Sequence, residues 1–362
     1  MLDFRGLATQ DLPLLRACVA TNHDFERMLR IWEESQAIDT LPSQHLRLVP
    51  FLFRRAERLG VPLRDNAILR GIYLKFWYEH HTTHQKAFQA LLATGLSERS
   101  LLLKGLALQA LCYSADPATR PCEDVDILVR RRSRIAEYRA LRTAGFSMKN
   151  GSHVAAQRFL RRAINLENSP SAIDLHWGLY DYSPDPDLET RLFARAEVVV
   201  IRESRFLALS PTDHLLHALL HGSEKNPVSP IRWIVDSFLL IGTQRVDWKI
   251  FVDEVARNRW RAPILQQLIT LVKVVGVEVP DFVVTAVEAL PGDPTAMALY
   301  WRGQSRSRWL RALTKLAYRD QLLLAQTQGW GWSPWMSVAL FPVVAGLVLW
   351  DSVESLVVRL RK

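Results

Sequence analysis

The sequence predicts an α+β fold, in which helical regions flank a small mixed β-sheet on both sides along the chain. Short apolar runs bounded by turn residues, which are typical of strands, concentrate in residues 99–205. Before and after them, apolar residues recur at three- and four-residue spacing, as on the buried face of a helix. The chain has 362 residues, of which 49% are hydrophobic and 23% charged. This composition indicates a globular protein and excludes a disordered chain.

Four regions follow from this distribution. Glycine and proline at positions 60 and 62 interrupt the first helical pattern, and Gly95 ends it. The predicted boundaries are 1–98 for an N-terminal helical region, 99–205 for an α/β core, 206–330 for a C-terminal helical region and 331–362 for a hydrophobic C-terminal segment.

The core is predicted to contain six strands and two helices. Strands mixed with helices over about 100 residues indicate a small sheet covered by helices. The C-terminal region then opens with a helix start, with Ser210 as N-cap, Pro211 at the first helical position and Asp213 in the first turn. The strands are expected in residues 100–104, 124–129, 145–150, 161–168, 171–179 and 197–203, and the helices in 105–113 and 133–145.

The overall charge and the cysteines limit the partners and the compartment. A formal net charge of +9 favours anionic partners such as nucleotides, nucleic acid or acidic membrane surfaces. Cys18, Cys112 and Cys122 are too few and too scattered for a disulfide framework or a cysteine-based zinc site. The first residues lack the apolar stretch of a signal peptide. We therefore expect a cytoplasmic protein.

Two carboxylates in one predicted strand indicate a metal site. Asp124 and Asp126 are two residues apart, and side chains at this spacing project from the same face of a strand. Asp174, in a later strand, would supply a third carboxylate. Oxygen ligands of this kind select Mg²⁺ or Mn²⁺ rather than zinc. Three carboxylates around such ions fit phosphoryl or nucleotidyl transfer, with a nucleoside triphosphate (NTP) such as ATP as substrate.

A phosphate-binding element precedes this strand. Gly105 lies at a predicted strand-to-helix junction, where free helix N–H groups favour an anion and a glycine permits its close approach. Lys104 and Arg120 are nearby cations suited to phosphate. Together with His176, these three residues are predicted to bind the nucleotide.

These segments, in this order, resemble a known family. LLLKGLAL, RPCEDVDILV, AIDLHWGL, LSPTDHLLHALLH and IRWIVD look like the uncharacterised bacterial nucleotidyltransferase family of the DNA polymerase β-like superfamily. The similarity spans about residues 45–260. It implies transfer of a nucleoside monophosphate to a hydroxyl of a peptide, protein or small molecule. Gly105 matches the glycine motif, and the three aspartates named above match the metal carboxylates; the Lys104-Gly105-Leu106 sequence departs from the superfamily's Gly-Gly or Gly-Ser.

Other functions and roles stay open at the level of sequence. A non-catalytic nucleotide-binding regulatory module and a kinase using the same metal site are the alternatives to a nucleotidyltransferase. No Rossmann or Walker A motif is present, and no signature of sequence-specific nucleic-acid binding. His214, His217 and His221 share one helix face, and we favour core or supporting histidines over a direct role at the site. By the same resemblance, His221 and Asp236 match recurrent family positions.

The C-terminal segment has two interpretations. Residues 336–350 contain no charged side chain, and Trp335 and Trp350 flank them as aromatic residues do at membrane interfaces. The stretch is shorter than the roughly 20 residues that span a bilayer as a helix. We favour a buried C-terminal helix, with peripheral contact to a membrane or a hydrophobic partner as the alternative.

Overall fold

A seven-stranded mixed sheet forms the centre of the protein. Helices precede the sheet, connect several of its strands and follow it. This architecture confirms the predicted α+β class. The computed structural model describes residues 7–148, 162–180, 183, 185–223 and 231–293.

The sheet combines parallel and antiparallel pairs. Its spatial order is β3-β4-β5-β2-β1-β7-β6. β2 pairs in parallel with β5, as β1 does with β7, and the other neighbours are antiparallel. β2 therefore lies at the centre of the sheet. The strands are β1 (Leu101–Leu102), β2 (Val125–Leu128), β3 (Ser147–Met148), β4 (Ala163–Asn168), β5 (Ser171–His176), β6 (Glu197–Ile201) and β7 (Ser204–Ala208).

All six predicted strands are present, and β7 is an addition that the sequence does not predict. β6 and β7 form a hairpin in which Ile201 pairs with Ser204. The two residues between them, Arg202 and Glu203, have φ values of 49° and 65°. Two-residue hairpin turns of this kind favour asparagine and glycine, which tolerate positive φ. Because these two positions are occupied by an arginine and a glutamate, the sequence does not indicate a hairpin turn here.

Within the described residues, seven α-helices precede the sheet. Gly60 and Gly95 lie at the ends of helices with φ of 66° and 68°, which confirms them as breaks in the helical pattern. The helices are α1 (Leu12–Val19), α2 (Phe25–Ser35), α3 (Ser43–Leu46), α4 (Val49–Leu59), α5 (Asn66–Thr83), α6 (Gln85–Ala93) and α7 (Leu96–Arg99).

The remaining helices lie within the core and after it. The start of α11 is as predicted: the hydroxyl of Ser210 accepts a hydrogen bond from the backbone N–H of Asp213 at 3.2 Å. A π-helix, Thr270–Val275, follows α14. The helices are α8 (Lys104–Cys112), α9 (Arg134–Thr143), α10 (Leu188–Ala194), α11 (Pro211–Ser223), α12 (Arg232–Thr243), α13 (Trp248–Arg257), α14 (Arg261–Ile269) and α15 (Asp281–Ala289).

The two faces of the sheet belong to two hydrophobic clusters. Leu101 and Leu128 enter a cluster that contains residues of both the N-terminal and the C-terminal helices, whereas Leu102 and Ile127 enter one that contains residues of α6 and α9. Successive side chains of a strand point to opposite faces. Asp126, two residues before Leu128, therefore lies on the face that the first cluster covers. The four predicted region boundaries stay a prediction.

The predictions for the C-terminus fall outside the described residues. None of the helices in the described part of the chain is long and apolar enough to cross a membrane. Residues 336–350, with the two interpretations given above, lie beyond residue 293, the last one described.

Candidate active site

The pairing of two strands brings two of the predicted carboxylates together. β2 and β5 run in parallel with Asp126 directly beside Asp174. Neighbouring strands are about 4.8 Å apart, so partnered side chains on the same face lie next to each other. Oxygens of these two carboxylates and a ring nitrogen of His176 lie within 4.8 Å of one another. The strand register thus creates a cluster of three donor side chains.

His176 contacts both carboxylates. Its Nε2 atom is 3.1 Å from Oδ1 of Asp126 and 3.8 Å from Oδ2 of Asp174. Burial lowers the pKa of His176 although the neighbouring Asp126 opposes this shift, so the ring is neutral at neutral pH. Its Nδ1 atom is buried without a hydrogen-bond partner among the described residues. The sequence assigns His176 to nucleotide binding, and the structure brings it into the carboxylate cluster.

Asp124 lies beside this cluster but is not one of the three grouped residues. It precedes β2, lines the adjoining cavity and has its pKa raised to about 6 by burial and by the charge of Asp126. For Asp126, burial also raises the pKa, but Lys104 and His176 outweigh it and lower the value to about 2. The structure therefore groups two carboxylates with an imidazole, where the sequence predicts three carboxylates. A metal-binding role for Asp124 stays a prediction.

Lys104 offsets part of the negative charge of the cluster. It begins α8 with a left-handed backbone, φ 46°, and its Nζ atom lies 2.7 Å from Oδ1 of Asp126. Burial lowers its pKa, but the charges of Asp126, Asp174 and Asp124 outweigh burial and raise it. The ammonium group is thus held by carboxylates, whereas the sequence predicts that it contacts phosphate. Its nucleotide-binding role stays a prediction.

Gly105 allows α8 to approach the segment before β2. A Cβ atom at this position would lie 2.5 Å from Cβ of Cys122 and 3.1 Å from its sulfur. A side chain does not fit at such distances, so the glycine has a packing role. The sequence analysis attributes Gly105 to the close approach of a phosphate group. That role stays a prediction, in addition to the packing role seen in the structure.

Arg120 forms a buried ion pair with α12. Its Nε and Nη2 atoms donate to the two oxygens of Asp236 at 2.7 and 2.8 Å, and the hydroxyl of Tyr113 donates to Oδ1 at 2.8 Å. The remaining nitrogen, Nη1, donates to the carbonyl of Pro121 at 3.1 Å. All three guanidinium nitrogens are therefore engaged within the protein. This arrangement fixes the segment before β2 to α12 and gives Arg120 a structural role. Its predicted contact with the nucleotide stays a prediction.

A cavity of about 220 Å³ adjoins the carboxylate cluster. It lies between the segment before β2, the start of α8, and helices α11 and α12, and Asp124 and Asp126 form part of its wall. His214, His217 and His221 all line it, and the first two are themselves buried. A role for them at the site stays a prediction. Burial lowers the pKa of His217 well below its usual value, and both of its ring nitrogens lack partners among the described residues.

Sequence reasoning missed two basic residues of this cavity. Arg232, at the start of α12, and Arg47, before α4, both contribute to its wall. Burial, together with the charges of Arg120 and Arg47, lowers the pKa of Arg232 to about 9. The signal that could have identified Arg232 is its place in the segment IRWIVD, which also contains Asp236.

The donor set fits a divalent cation. The two carboxylates match the preference of Mg²⁺ and Mn²⁺ for oxygen ligands, and the imidazole that lies within 4.8 Å of them is a ligand more typical of transition metals. The cluster lies at the edge of a cavity that is lined by basic side chains. Such a combination is typical of enzymes that act on phosphate groups.

Comparison with known proteins identifies the class and then the family. The fold and the site are consistent with a nucleotidyltransferase, and residues 43–276 match the model of a family described as an uncharacterised nucleotidyltransferase. The match covers more than half of the chain and includes every strand of the sheet. The chain belongs to this family and is an enzyme of the nucleotidyltransferase type. No curated protein matches the chain significantly.

Proposed function

We propose that the enzyme transfers a nucleoside monophosphate from an NTP to a hydroxyl group, with Mg²⁺ or Mn²⁺ as cofactor. The observation that carries this proposal is the grouping of Asp126, Asp174 and His176 within 4.8 Å. Asp124 is proposed as a further ligand because it adjoins the cluster and its charge is destabilised by Asp126. The bacterial origin, the relation to the polymerase β-like superfamily and the cytoplasmic location belong to the same proposal.

The chain's own residues would hold and orient the reactants. Asp126, Asp174 and His176 would hold the cation, which, when bound, supplies charge neutralisation for the phosphates and acidifies the attacking hydroxyl. Lys104 supplies one positive charge to this region through its contact with Asp126. Arg120 keeps the segment that contains Asp124 against α12, because its guanidinium is bound to Asp236. These contacts hold the segment that contains Asp124 in position before the substrates bind.

The acceptor is proposed to be a hydroxyl of a peptide, a protein or a small molecule. The cavity beside the carboxylates is about 220 Å³ in volume, and polar side chains dominate its wall. Sequence-specific nucleic-acid binding is not part of the proposal, because the sequence contains no motif of that kind. His217 offers two unpartnered ring nitrogens to a polar group in this cavity.

Transfer of labelled phosphate tests the proposal directly. The protein is incubated with each α-³²P-labelled NTP, with Mg²⁺ or Mn²⁺, and with cell extract as the source of acceptors. Asp126→Asn and Asp174→Asn should reduce transfer about 10³-fold, since each removes charge that stabilises the transition state. Asp253→Asn, at an exposed position of α13, is the matched control and should leave transfer unchanged. Transfer that persists in both cluster variants would contradict the proposed site.

The label and the products separate the two alternatives from nucleotidyl transfer. A kinase would transfer the γ-phosphate and release a nucleoside diphosphate, whereas a nucleotidyltransferase transfers the α-phosphate and releases pyrophosphate. A regulatory module would bind an NTP in stoichiometric amount without releasing pyrophosphate with any acceptor. Pyrophosphate release that requires Asp126 supports the proposal over both alternatives.

A further inference from the structure

The charged side chains of the cavity are paired, with two exceptions. Four basic and four acidic residues line it. A basic residue without a carboxylate at such a site has charge available for an anionic ligand. The pairs are Arg47 with Glu123, Lys104 with Asp126 and Arg120 with Asp236, and the residues left over are Arg232 and Asp124.

Arg232 is the cation that this pairing leaves over. Within the described ranges, its one side-chain hydrogen bond goes to the carbonyl of Pro121, and no carboxylate lies within ion-pair distance of it. Burial and two neighbouring arginines lower the pKa of Arg232, and the charge of Asp236 opposes this shift without outweighing it. Arg232 is partly buried. A partly buried cation without an ion-pair partner is less well solvated than one in water, and an anionic ligand would compensate for this.

We propose that Arg232 binds a phosphate group of the NTP, in the role that the sequence assigns to Arg120. The inference rests on the proposed function in one respect, namely that the ligand is a triphosphate. The planar guanidinium of an arginine matches the oxygens of a phosphate group. Arg120 has the same chemistry, but its charge is already balanced by a bidentate ion pair with Asp236.

A second observation indicates that the same cavity receives a polar ligand. Both ring nitrogens of His217 and Nε2 of His214 are buried without hydrogen-bond partners among the described residues. Both side chains line the cavity together with Arg232. Buried polar atoms are rarely left unpaired, because each unmade hydrogen bond costs free energy. Oxygens of a phosphate group held by Arg232 can accept a hydrogen bond from such an imidazole.

Calorimetric titration with inorganic tripolyphosphate and Mg²⁺ tests the inference without any assumption about the base. Arg232→Met should weaken tripolyphosphate binding at least about tenfold, equivalent to about 1.4 kcal/mol. Arg232→Lys, which retains the charge but not the planar group, should give an intermediate affinity. Arg70→Met removes the same charge from an exposed position of α5 and should bind as the wild type does.

Thermal denaturation without ligand provides a second measurement. Arg232→Met should keep or raise the melting temperature, because it removes a partly buried cation that has no ion-pair partner. The carbonyl of Pro121 keeps its other donor, Nη1 of Arg120, in this variant. Added Mg²⁺-tripolyphosphate should then stabilise the wild type more than Arg232→Met, since stabilisation by a ligand follows its affinity.

Two outcomes would overturn the inference: equal tripolyphosphate affinity in the wild type, Arg232→Met and Arg232→Lys, or no binding by the wild type. The pyrophosphate assay distinguishes this failure from failure of the proposed function. Pyrophosphate release that depends on Asp126, combined with equal affinities, leaves the function standing and removes the role of Arg232. If Arg232→Met loses tripolyphosphate binding but the wild type releases no pyrophosphate, the role of Arg232 stands and the proposed function fails.

Discussion

Asp126 and Asp236 are buried carboxylates on two sides of one cavity, and each contacts a basic side chain. Both oxygens of Asp236 accept hydrogen bonds, Oδ1 from Arg120 and Tyr113 and Oδ2 from Arg120. The two described contacts of Asp126, from Lys104 and His176, both reach Oδ1. The donors around Asp236 therefore use the whole carboxylate, whereas those around Asp126 concentrate on one oxygen.

The surroundings of the two groups differ in charge as well. Asp236 faces the permanent charge of Arg120, which forms a bidentate pair with it. Asp126 shares the single ammonium of Lys104 with Asp174 and Asp124, whose charges also act on that group. The charge of Arg120 balances the negative charge of Asp236. The carboxylates of the cluster carry more negative charge than the single ammonium of Lys104 can balance. The difference distinguishes a carboxylate that holds two parts of the fold together from one that can bind a further cation.

The largest effect on stability is expected at the balanced pair. Asp236→Ala leaves the guanidinium of Arg120 buried without a counter-charge, so the free energy of unfolding should fall by about 3–5 kcal/mol. Urea denaturation followed by circular dichroism measures it. Asp253→Ala, at an exposed position, is the control and should change the value by less than about 0.5 kcal/mol.

A double variant tests whether the loss of stability in Asp236→Ala comes from the broken ion pair with Arg120. Arg120→Met with Asp236→Leu removes both charges and substitutes apolar groups, so it should recover part of the loss seen in Asp236→Ala. If Asp236→Ala were as stable as the Asp253→Ala control, the pair would not be structural and the contrast with Asp126 would fail.

A smaller effect, dependent on a metal ion, is expected at the cluster. In EDTA, Lys104→Met leaves Asp126 without its ammonium partner and should lower the free energy of unfolding by about 1–3 kcal/mol. Mn²⁺ should then raise the melting temperature of Lys104→Met more than that of the wild type, because the added cation replaces the lost charge. Lys75→Met, on the exposed surface of α5, is the control. No shift in any of the three proteins would mean that the cluster does not bind the ion, and equal shifts would mean that the charge of Lys104 does not affect its binding.

The central strands and two of the carboxylates could be predicted because their signals are local. Asp126 lies in a short apolar run, and the alternation of side chains in that run identifies the buried face. The same rule, applied to the later strand, places His176 on the face of Asp174, since the two are two residues apart. His176 could therefore have been predicted as a member of the cluster. Asp124 departs from the rule because β2 begins only at Val125.

The partners of the basic residues could not be predicted because they are distant in sequence. Arg120 and Asp236 are 116 residues apart, and the pairing depends on how α12 packs against the segment before β2. No local pattern indicates that Arg120 is paired with a carboxylate while Arg232 is not. The parallel register that aligns Asp126 with Asp174 is likewise a product of the folded sheet. Sequence thus identified the chemical types at the site, and tertiary packing decides which cation is available to a ligand.

Glu254 in α13 is a third buried carboxylate. Its substitution is expected to change stability less than the substitutions at Asp236 and Lys104. Like Asp236, it accepts hydrogen bonds on both oxygens, from Arg191, Arg195 and Asn258. Unlike Arg120, the two arginines also pair with other carboxylates, Asp185 and Asp213. Glu254→Gln should therefore cost only about 1–2 kcal/mol at pH 7, measured by urea denaturation.

The pH dependence of stability gives the sign of this contribution. Burial raises the pKa of Glu254, but Arg191 and Arg195 outweigh it, and the folded-state pKa lies below the usual 4.5. A depressed pKa stabilises the fold above pH 4.5, and this contribution is lost as the pH falls through the folded-state value. The difference in unfolding free energy between the wild type and Glu254→Gln should thus shrink when the pH is lowered from 7 towards 3. Glu278→Gln, at an exposed position, should show no such change. A difference that is constant across this range would mean that hydrogen-bond geometry rather than the charge of Glu254 supplies the stability.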